Sequence, residues 1–236
     1  MSFIDTKGID VVILCGGRGK RLRSAVKDRP KPMAEVGGVP FLDIIINFLA
    51  AQGFKRFILC IGYRGEYIQR YYRARKTNLE FIFSKELYPL GTGGAIKNAL
   101  NLIKNDVFLV LNGDSYCDLN YCELINFHLE KKCLITMVAF EVAESKDYGT
   151  VTIDDDNRIV SFHEKIANRD KAYVNAGIYC MNKEVFLVMP DRKKFSLEYD
   201  FLPTIVNNQC LAYVTKHPFF DIGTPERYNT IKKRKD

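Results

Sequence analysis

The segment Leu14-Cys15-Gly16-Gly17-Arg18-Gly19-Lys20-Arg21-Leu22 follows the β-branched run Asp10–Leu14. Its three glycines allow the backbone to approach an anion with its N–H groups turned inward, and the interleaved arginines and lysine add positive charge. The chemistry this suits is phosphate binding. Spacing excludes two common forms: a dinucleotide fingerprint needs a glycine where Leu22 stands, and a Walker loop needs Ser or Thr where Arg21 stands. Read alone, the segment also fits a tight turn with solvated basic residues. A short way on, Arg29-Pro30-Lys31-Pro32-Met33 flanks Lys31 with prolines, which hold the backbone extended and restrict where its ammonium goes. The wider cluster of Arg18, Lys20, Arg21, Arg23, Lys27, Arg29 and Lys31 strengthens the phosphate reading.

Two carboxylates complete the set. Val107–Leu111 runs into Asn112-Gly113-Asp114, and Phe219-Phe220-Asp221-Ile222-Gly223-Thr224-Pro225 puts another acid just before a helix start. Singly, Asp114 also reads as a turn residue and Asp221 as a helix-preceding cap. Brought together in a phosphate-filled pocket, they would need a cation between them, and magnesium is the natural partner.

The elements that must position these groups follow from periodicity. Strands are expected at Asp10–Leu14, Arg56–Ile61, Leu79–Ser84, Val107–Leu111 and Leu134–Phe140, alternating with helices at Phe41–Gln52, Gly65–Tyr72, Thr92–Leu102 and Tyr121–Lys131. This alternation predicts an α/β fold: a Rossmann-like mixed, mainly parallel sheet flanked by helices. Ligands in such sheets collect beyond the carboxyl ends of the strands, where the motifs fall. After about Glu141 the expected strands shorten to Gly149–Ile153, Ile159–His163, Ala172–Tyr179 and Leu211–Val214, a smaller mixed-sheet lobe on the same core. Thr224-Pro225-Glu226 has the capping hydroxyl, first-turn proline and acid of a helix start. No linker or repeat divides the chain, so a single domain is expected over residues 1–236, with no C-terminal β-helix.

Composition sets the remaining bounds. The 236 residues are 47% hydrophobic and 27% charged, those of a folded protein with ample core. Seven cysteines without a C-x-x-C pair read as reduced core thiols. The absence of a leader pattern and of any long apolar run predicts a cytoplasmic protein that does not enter membranes. The net charge of +7 gathers at the glycine loop and a basic tail, not in a stripe with interleaved aromatics, which argues against nucleic acid. His128, His163 and His217 are too scattered for a metal site. Tyr63, Tyr67, Tyr71 and Tyr72 are spaced as a helix face for packing or for a homodimer contact.

The combination of L-C-G-G-R-G-K-R-L with R-P-K-P-M resembles the signature of the sugar-phosphate nucleotidylyltransferases, which join a nucleoside triphosphate to a sugar 1-phosphate. The resemblance runs from about Asp10 to Tyr228. It implies a nucleotide-binding half at about 10–140 and a sugar-phosphate-binding half at about 141–228. It also implies that Asp114 and Asp221 hold the catalytic Mg2+, and that Leu90-Gly91-Thr92-Gly93-Gly94 packs against the nucleobase. Gly149, Glu164, Lys165 and Asn175, with Asp221, match the sugar-phosphate side. Ile166 stands where the family usually has proline. The nucleotide set is then Leu14, Gly16, Gly17, Arg18, Gly19, Lys20, Arg21, Lys31, Glu86, Gly91, Thr92, Gly93, Asn112 and Asp114, with Arg21, Lys31, Asp114 and Asp221 catalytic.

Within the family, the segment from Ser84 to Ala99 and Phe162-His163-Glu164-Lys165 look most like bacterial guanylyltransferases acting on heptose 1-phosphate, with GTP as the nucleotide. Glu86, five residues before Gly91, is placed to accept both pairing-edge N–H groups of guanine; a solvated loop acid is the alternative. Mannose 1-phosphate with GTP, or glucose 1-phosphate with UTP, dTTP or CTP, are the alternatives within the class. A non-catalytic regulatory subunit is disfavoured because Arg21, Lys31, Asp114 and Asp221 are all present.

Overall fold

The structure is a computed structural model that describes residues 5–142, 150–163, 172–206 and 209–235. In chain order its elements are β1 (Asp10–Leu14), β2 (Glu35–Val36), β3 (Val39–Pro40), α1 (Phe41–Ala51), β4 (Arg56–Ile61), α2 (Gly65–Arg73), β5 (Glu80–Lys85) and α3 (Gly91–Asn98). Next come β6 (Val107–Asn112), β7 (Ser115–Cys117), α4 (Tyr121–Lys131), β8 (Ile135–Val142), β9 (Thr150–Ile153), β10 (Ile159–His163) and β11 (Ala172–Asn182). The chain closes with α5 (Val185–Val188), β12 (Cys210–Thr215), β13 (Phe219–Asp221) and α6 (Pro225–Lys235).

One nine-stranded sheet runs through both halves. Strands β5, β4, β1 and β6 lie side by side and parallel, as crossover connections require. The sequence of strands then reverses direction: β11 pairs antiparallel with β6, β8 and β9, while β12 returns parallel beside β8. Side chains alternate between two cores, as period-2 strands buried on both faces must. Val11, Ile13, Phe57, Leu59, Leu109 and Leu111 face the layer containing α1, α2 and α4. Val12, Ile58, Cys60, Phe108 and Val110 face the layer containing α3 and α5.

The expected helix at Thr92–Leu102 is shorter: α3 ends at Asn98 and a separate 3-10 turn covers Leu100–Leu102. Two short antiparallel pairs were not anticipated, the hairpin of β2 with β3 and the long-range pair of β7 with β13. Each has only two or three residues per strand, too short for an alternation pattern to register. The aromatic run serves the core more than a surface: Tyr71 and Tyr72 donate hydroxyl bonds of 2.6 and 2.7 Å to the buried carboxylate of Asp43. Among the described residues, all seven cysteines are free thiols and no helix is long and apolar enough to cross a membrane.

Candidate active site

A cavity of about 660 Å³ opens at the carboxyl ends of the parallel strands. The loop after β1 forms one wall and is clamped from both sides. Cys15 donates its amide to Cys60 at 2.8 Å, Tyr63 donates to Gly16 at 3.1 Å, and Gly113 donates to Leu14 at 3.0 Å. Neighbouring strand ends therefore hold it. Gly16 and Gly62 pack backbone to backbone, leaving no space for a Cβ on Gly62 without moving the Gly16 carbonyl. Gly19 adopts a left-handed φ of 56°, the conformation that favours glycine, and presses against the Lys31 side chain. The loop thus brings Lys31 to the cavity.

The backbone at Lys31 differs from the fully extended expectation. Pro30 is extended, with ψ of 150°, but Lys31–Met33 closes a 3-10 turn in which Met33 donates to Pro30 at 2.9 Å. The proline at the second position is compatible with this turn because its missing N–H has no partner to lose there. The turn sends the ammonium of Lys31 onto the carboxylate of Asp114, forming an ion pair largely shielded from solvent.

Asp114 and Asp221 come from segments far apart in sequence and adjacent in space. In the β7–β13 ladder Asp221 lies opposite Ser115, and Ile222 donates its amide to the Asp114 carbonyl at 3.0 Å. Asp221 is buried; its carboxylate accepts from the Gly223 amide at 2.7 Å and from the Arg227 guanidinium at 3.1 Å to each oxygen. Both carboxylates thus face cationic groups. Asp114 lines the cavity with Gly223, whereas Asp221 does not line it itself. As hard oxygen donors, one in the turn between β6 and β7 and the other at the end of β13, these carboxylates are the residues that could hold a divalent cation in place of the cationic groups they face. Among the described residues, no group of three or more His, Cys, Asp or Glu side chains gathers that could hold a metal ion.

Most of the nucleotide set lines this cavity: Leu14, Gly16 through Arg21, Lys31, Glu86, Gly91, Thr92, Asn112 and Asp114. Glu86 stands against Gly16 and accepts the Leu90 amide at 3.0 Å; burial pushes its carboxyl pKa above the ordinary range. Thr92 spends its hydroxyl on the neighbouring segment, donating to Glu198 at 2.6 Å and accepting from the Leu197 amide at 2.8 Å.

Gly93 departs from its expected place. It is buried off the cavity wall, where a Cβ would run into the Phe195 ring. Gly91 and Gly94 also lie against backbone, at Phe195 and Lys193. Close packing of α3 on the 193–197 segment therefore accounts for these glycines. Asn175 does not line the cavity either; its amide donates to the Tyr179 hydroxyl at 2.7 Å and its oxygen accepts from Gly177 at 2.8 Å. This lies at an irregularity in the β11–β8 register, and Gly177, with φ of 68°, leaves space that the Asn112 side chain fills. Asn175 thus reaches the cavity through Gly177 and Asn112. Gly149, Glu164 and Lys165 lie outside the described residues.

Several lining positions were not anticipated as site residues, among them Gly62, Tyr63, Tyr88 and Gly223. Tyr63 had been grouped with the α2 face, yet it precedes that helix and stands at the end of β4, where the strand-end rule would have found it. Cys15 also lines the cavity. Burial pushes its thiol pKa well up, with Cys60, Asp114 and Glu86 adding to the effect, so it is a protonated thiol and no nucleophile.

The family model for nucleotidyl transferases matches residues 10–235. D-glycero-alpha-D-manno-heptose 1-phosphate guanylyltransferase of Campylobacter jejuni is 37% identical over 93% of this chain and 97% of its own. The protein of that name from Aneurinibacillus thermoaerophilus is 35% identical over 95% and 97%. The crystal structure of HddC from Yersinia pseudotuberculosis complexed with GMP-PN aligns with a TM-score of 0.85 at 39% identity, covering 97% of this chain and 100% of that one. With a strand-end glycine loop, a lysine on an aspartate and the family match over nearly its full length, this chain belongs to the nucleotidyl transferases.

Proposed function

We propose that the chain transfers the guanylyl group of GTP to a sugar 1-phosphate, D-glycero-D-manno-heptose 1-phosphate, releasing pyrophosphate. The observation that carries the reading is one cavity lined by the glycine loop, Lys31, Asp114 and Glu86. The relatives named heptose 1-phosphate guanylyltransferase supply the substrate class. On this reading the chain is one domain, with its nucleotide half at about 10–140 and its sugar-phosphate half at about 141–228, working in the cytoplasm.

The sugar phosphate is already an anionic nucleophile, so no strong base is required. Catalysis is positioning plus neutralisation of charge that builds on the α-phosphate and its leaving group. Backbone amides of Gly16, Gly17 and Gly19 and the side chain of Arg21 bind the β- and γ-phosphates. Lys31 neutralises the α-phosphate and the departing oxygen. Its pairing with Asp114 keeps the ammonium aimed into the cavity before substrate arrives. Glu86 accepts the two N–H groups of the guanine pairing edge, a pattern uracil and thymine lack. Lys165 and Glu164, with Gly149, are assigned to the sugar phosphate by the family resemblance, and Asn175 acts only indirectly, through its bond to Gly177. Magnesium held by Asp114 and Asp221 would supply Lewis acidity and a template for the phosphates when bound.

The test is a coupled pyrophosphate-release assay over GTP, ATP, UTP and CTP against heptose, mannose and glucose 1-phosphates, with magnesium and with chelator. The expected result is turnover with GTP and heptose 1-phosphate that chelator abolishes. Preference for mannose 1-phosphate would move the substrate assignment, and no turnover with any pair would remove the reading.

A further inference from the structure

Behind the glycine loop lies a second pocket of about 300 Å³, lined by Arg18, Gly19, Leu22, Arg23, Val26, Lys27, Arg29, Lys31, Tyr63 and Arg64. Six of these ten residues are cationic and none is acidic. Two of the six are neutralised elsewhere: Arg29 pairs with Asp28 and Glu35, and Lys31 with Asp114. Arg18, Arg23, Lys27 and Arg64 make no ion pair among the described residues. Like charges gathered this way repel one another unless an anion joins them.

The cations are also held in place. The Arg23 and Arg64 guanidinium carbons sit 4.9 and 5.5 Å from the Tyr63 ring centroid, and Arg64 donates to the Lys27 carbonyl at 2.7 Å. Both side chains are exposed, and the ring contact restrains their guanidinium groups at the pocket while leaving other N–H groups to bind an anion. Arg64 itself adopts a left-handed φ of 54°, a conformation that disfavours side chains and that glycine would adopt more cheaply. The strain sets an arginine at the head of α2, directly after Tyr63.

This pocket shares Arg18, Gly19, Lys31 and Tyr63 with the larger cavity. We infer that it is a second anion site for a diphosphate, and that it receives the pyrophosphate released in the adjoining cavity. The choice of pyrophosphate rests on the proposed function, because that reaction generates such an anion at every turnover beside four cations that make no ion pair among the described residues. Arg23 and Arg64 are its specific ligands, since neither lines the larger cavity.

The experiment is isothermal titration of the whole chain with inorganic pyrophosphate, alone and with a saturating non-hydrolysable GTP analogue. Wild type is expected to bind two pyrophosphates alone and one with the analogue. The R23Q/R64N variant, with asparagine chosen because it tolerates the left-handed backbone, is expected to bind one alone and none with the analogue. In kinetics, pyrophosphate inhibition against GTP should be mixed for wild type and purely competitive for the variant, with kcat unchanged when pyrophosphatase is present. Should the double variant fail to fold, R23Q alone is expected to weaken the second site about tenfold. Equal binding by wild type and variant beside the analogue overturns the inference. Orthophosphate or sulfate binding as tightly as pyrophosphate overturns the diphosphate assignment. If the analogue itself does not bind, the guanylyl reading fails, while the wild-type and variant titrations with pyrophosphate alone still judge the pocket.

Discussion

The ammonium of Lys31 rests on the carboxylate of Asp114, a residue 83 positions along the chain. The contact joins the turn after the glycine loop to the end of β6, so one side chain reports on both walls of the cavity. Lys31→Met is expected to lower kcat/KM roughly a hundredfold or more, the scale of losing one positioned donor at developing charge. Pyrophosphate release measures it, and an unchanged far-ultraviolet circular dichroism spectrum separates the loss from unfolding. Near-normal turnover would remove Lys31 from the chemistry.

Asp221 is buried and bonded to Arg227 and to the Gly223 amide, so its replacement tests metal binding and structure together. Asp221→Asn keeps the shape and removes the charge. The expected outcome is loss of turnover with a weakened response to added magnesium or manganese, read by titrating metal into the assay. Wild-type metal dependence in this variant would shift the ligand role to Asp114 alone.

Glu86 ties base choice to pH. Burial raises its carboxyl pKa, so the folded protein takes up this proton at a higher pH than the unfolded chain does. Guanine recognition needs the ionised form; the KM for GTP should rise as pH falls through that raised pKa, ahead of ordinary carboxylates. Glu86→Gln should flatten this rise and narrow the GTP to UTP preference. A preference unchanged from wild type would leave the carboxylate with only its bond to Leu90.

His128 is fully buried, with Nδ1 2.9 Å from the Thr136 hydroxyl, and burial lowers its pKa from 6.5 to about 4. Because the unfolded chain binds this proton more readily, stability is present above the unfolded pKa. It is lost as pH falls through the window from 6.5 to about 4. The full shift corresponds to about 3 kcal/mol. Urea unfolding at pH 7 and pH 4.5 is expected to show that dependence in wild type and a smaller one in His128→Gln.

Gly93 makes a packing prediction instead of a binding one. Gly93→Ala forces a methyl into the Phe195 ring and is expected to destabilise the fold by about 1–3 kcal/mol. Thermal melting reads the loss, while the KM for GTP at low temperature stays near wild type. A raised KM with unchanged melting would return Gly93 to the nucleotide.

The sequence by itself determined the parallel strands and helices of the first half, because long apolar periods and strand-end glycines are local signals. It also determined the phosphate loop, Lys31, Asp114 and Asp221 as candidates, since residue type and spacing limit their chemistry. Tertiary structure decided what those signals meant together. Only the β7–β13 ladder brings Asp221 beside the turn that carries Asp114, and three-residue strands carry no readable period. Only packing against Phe195 shows why α3 opens with glycines, because a close approach between segments a hundred residues apart leaves no mark on either one alone. Tyr63 and Arg64 sit at a strand end next to the loop through sheet register, which no local spacing encodes.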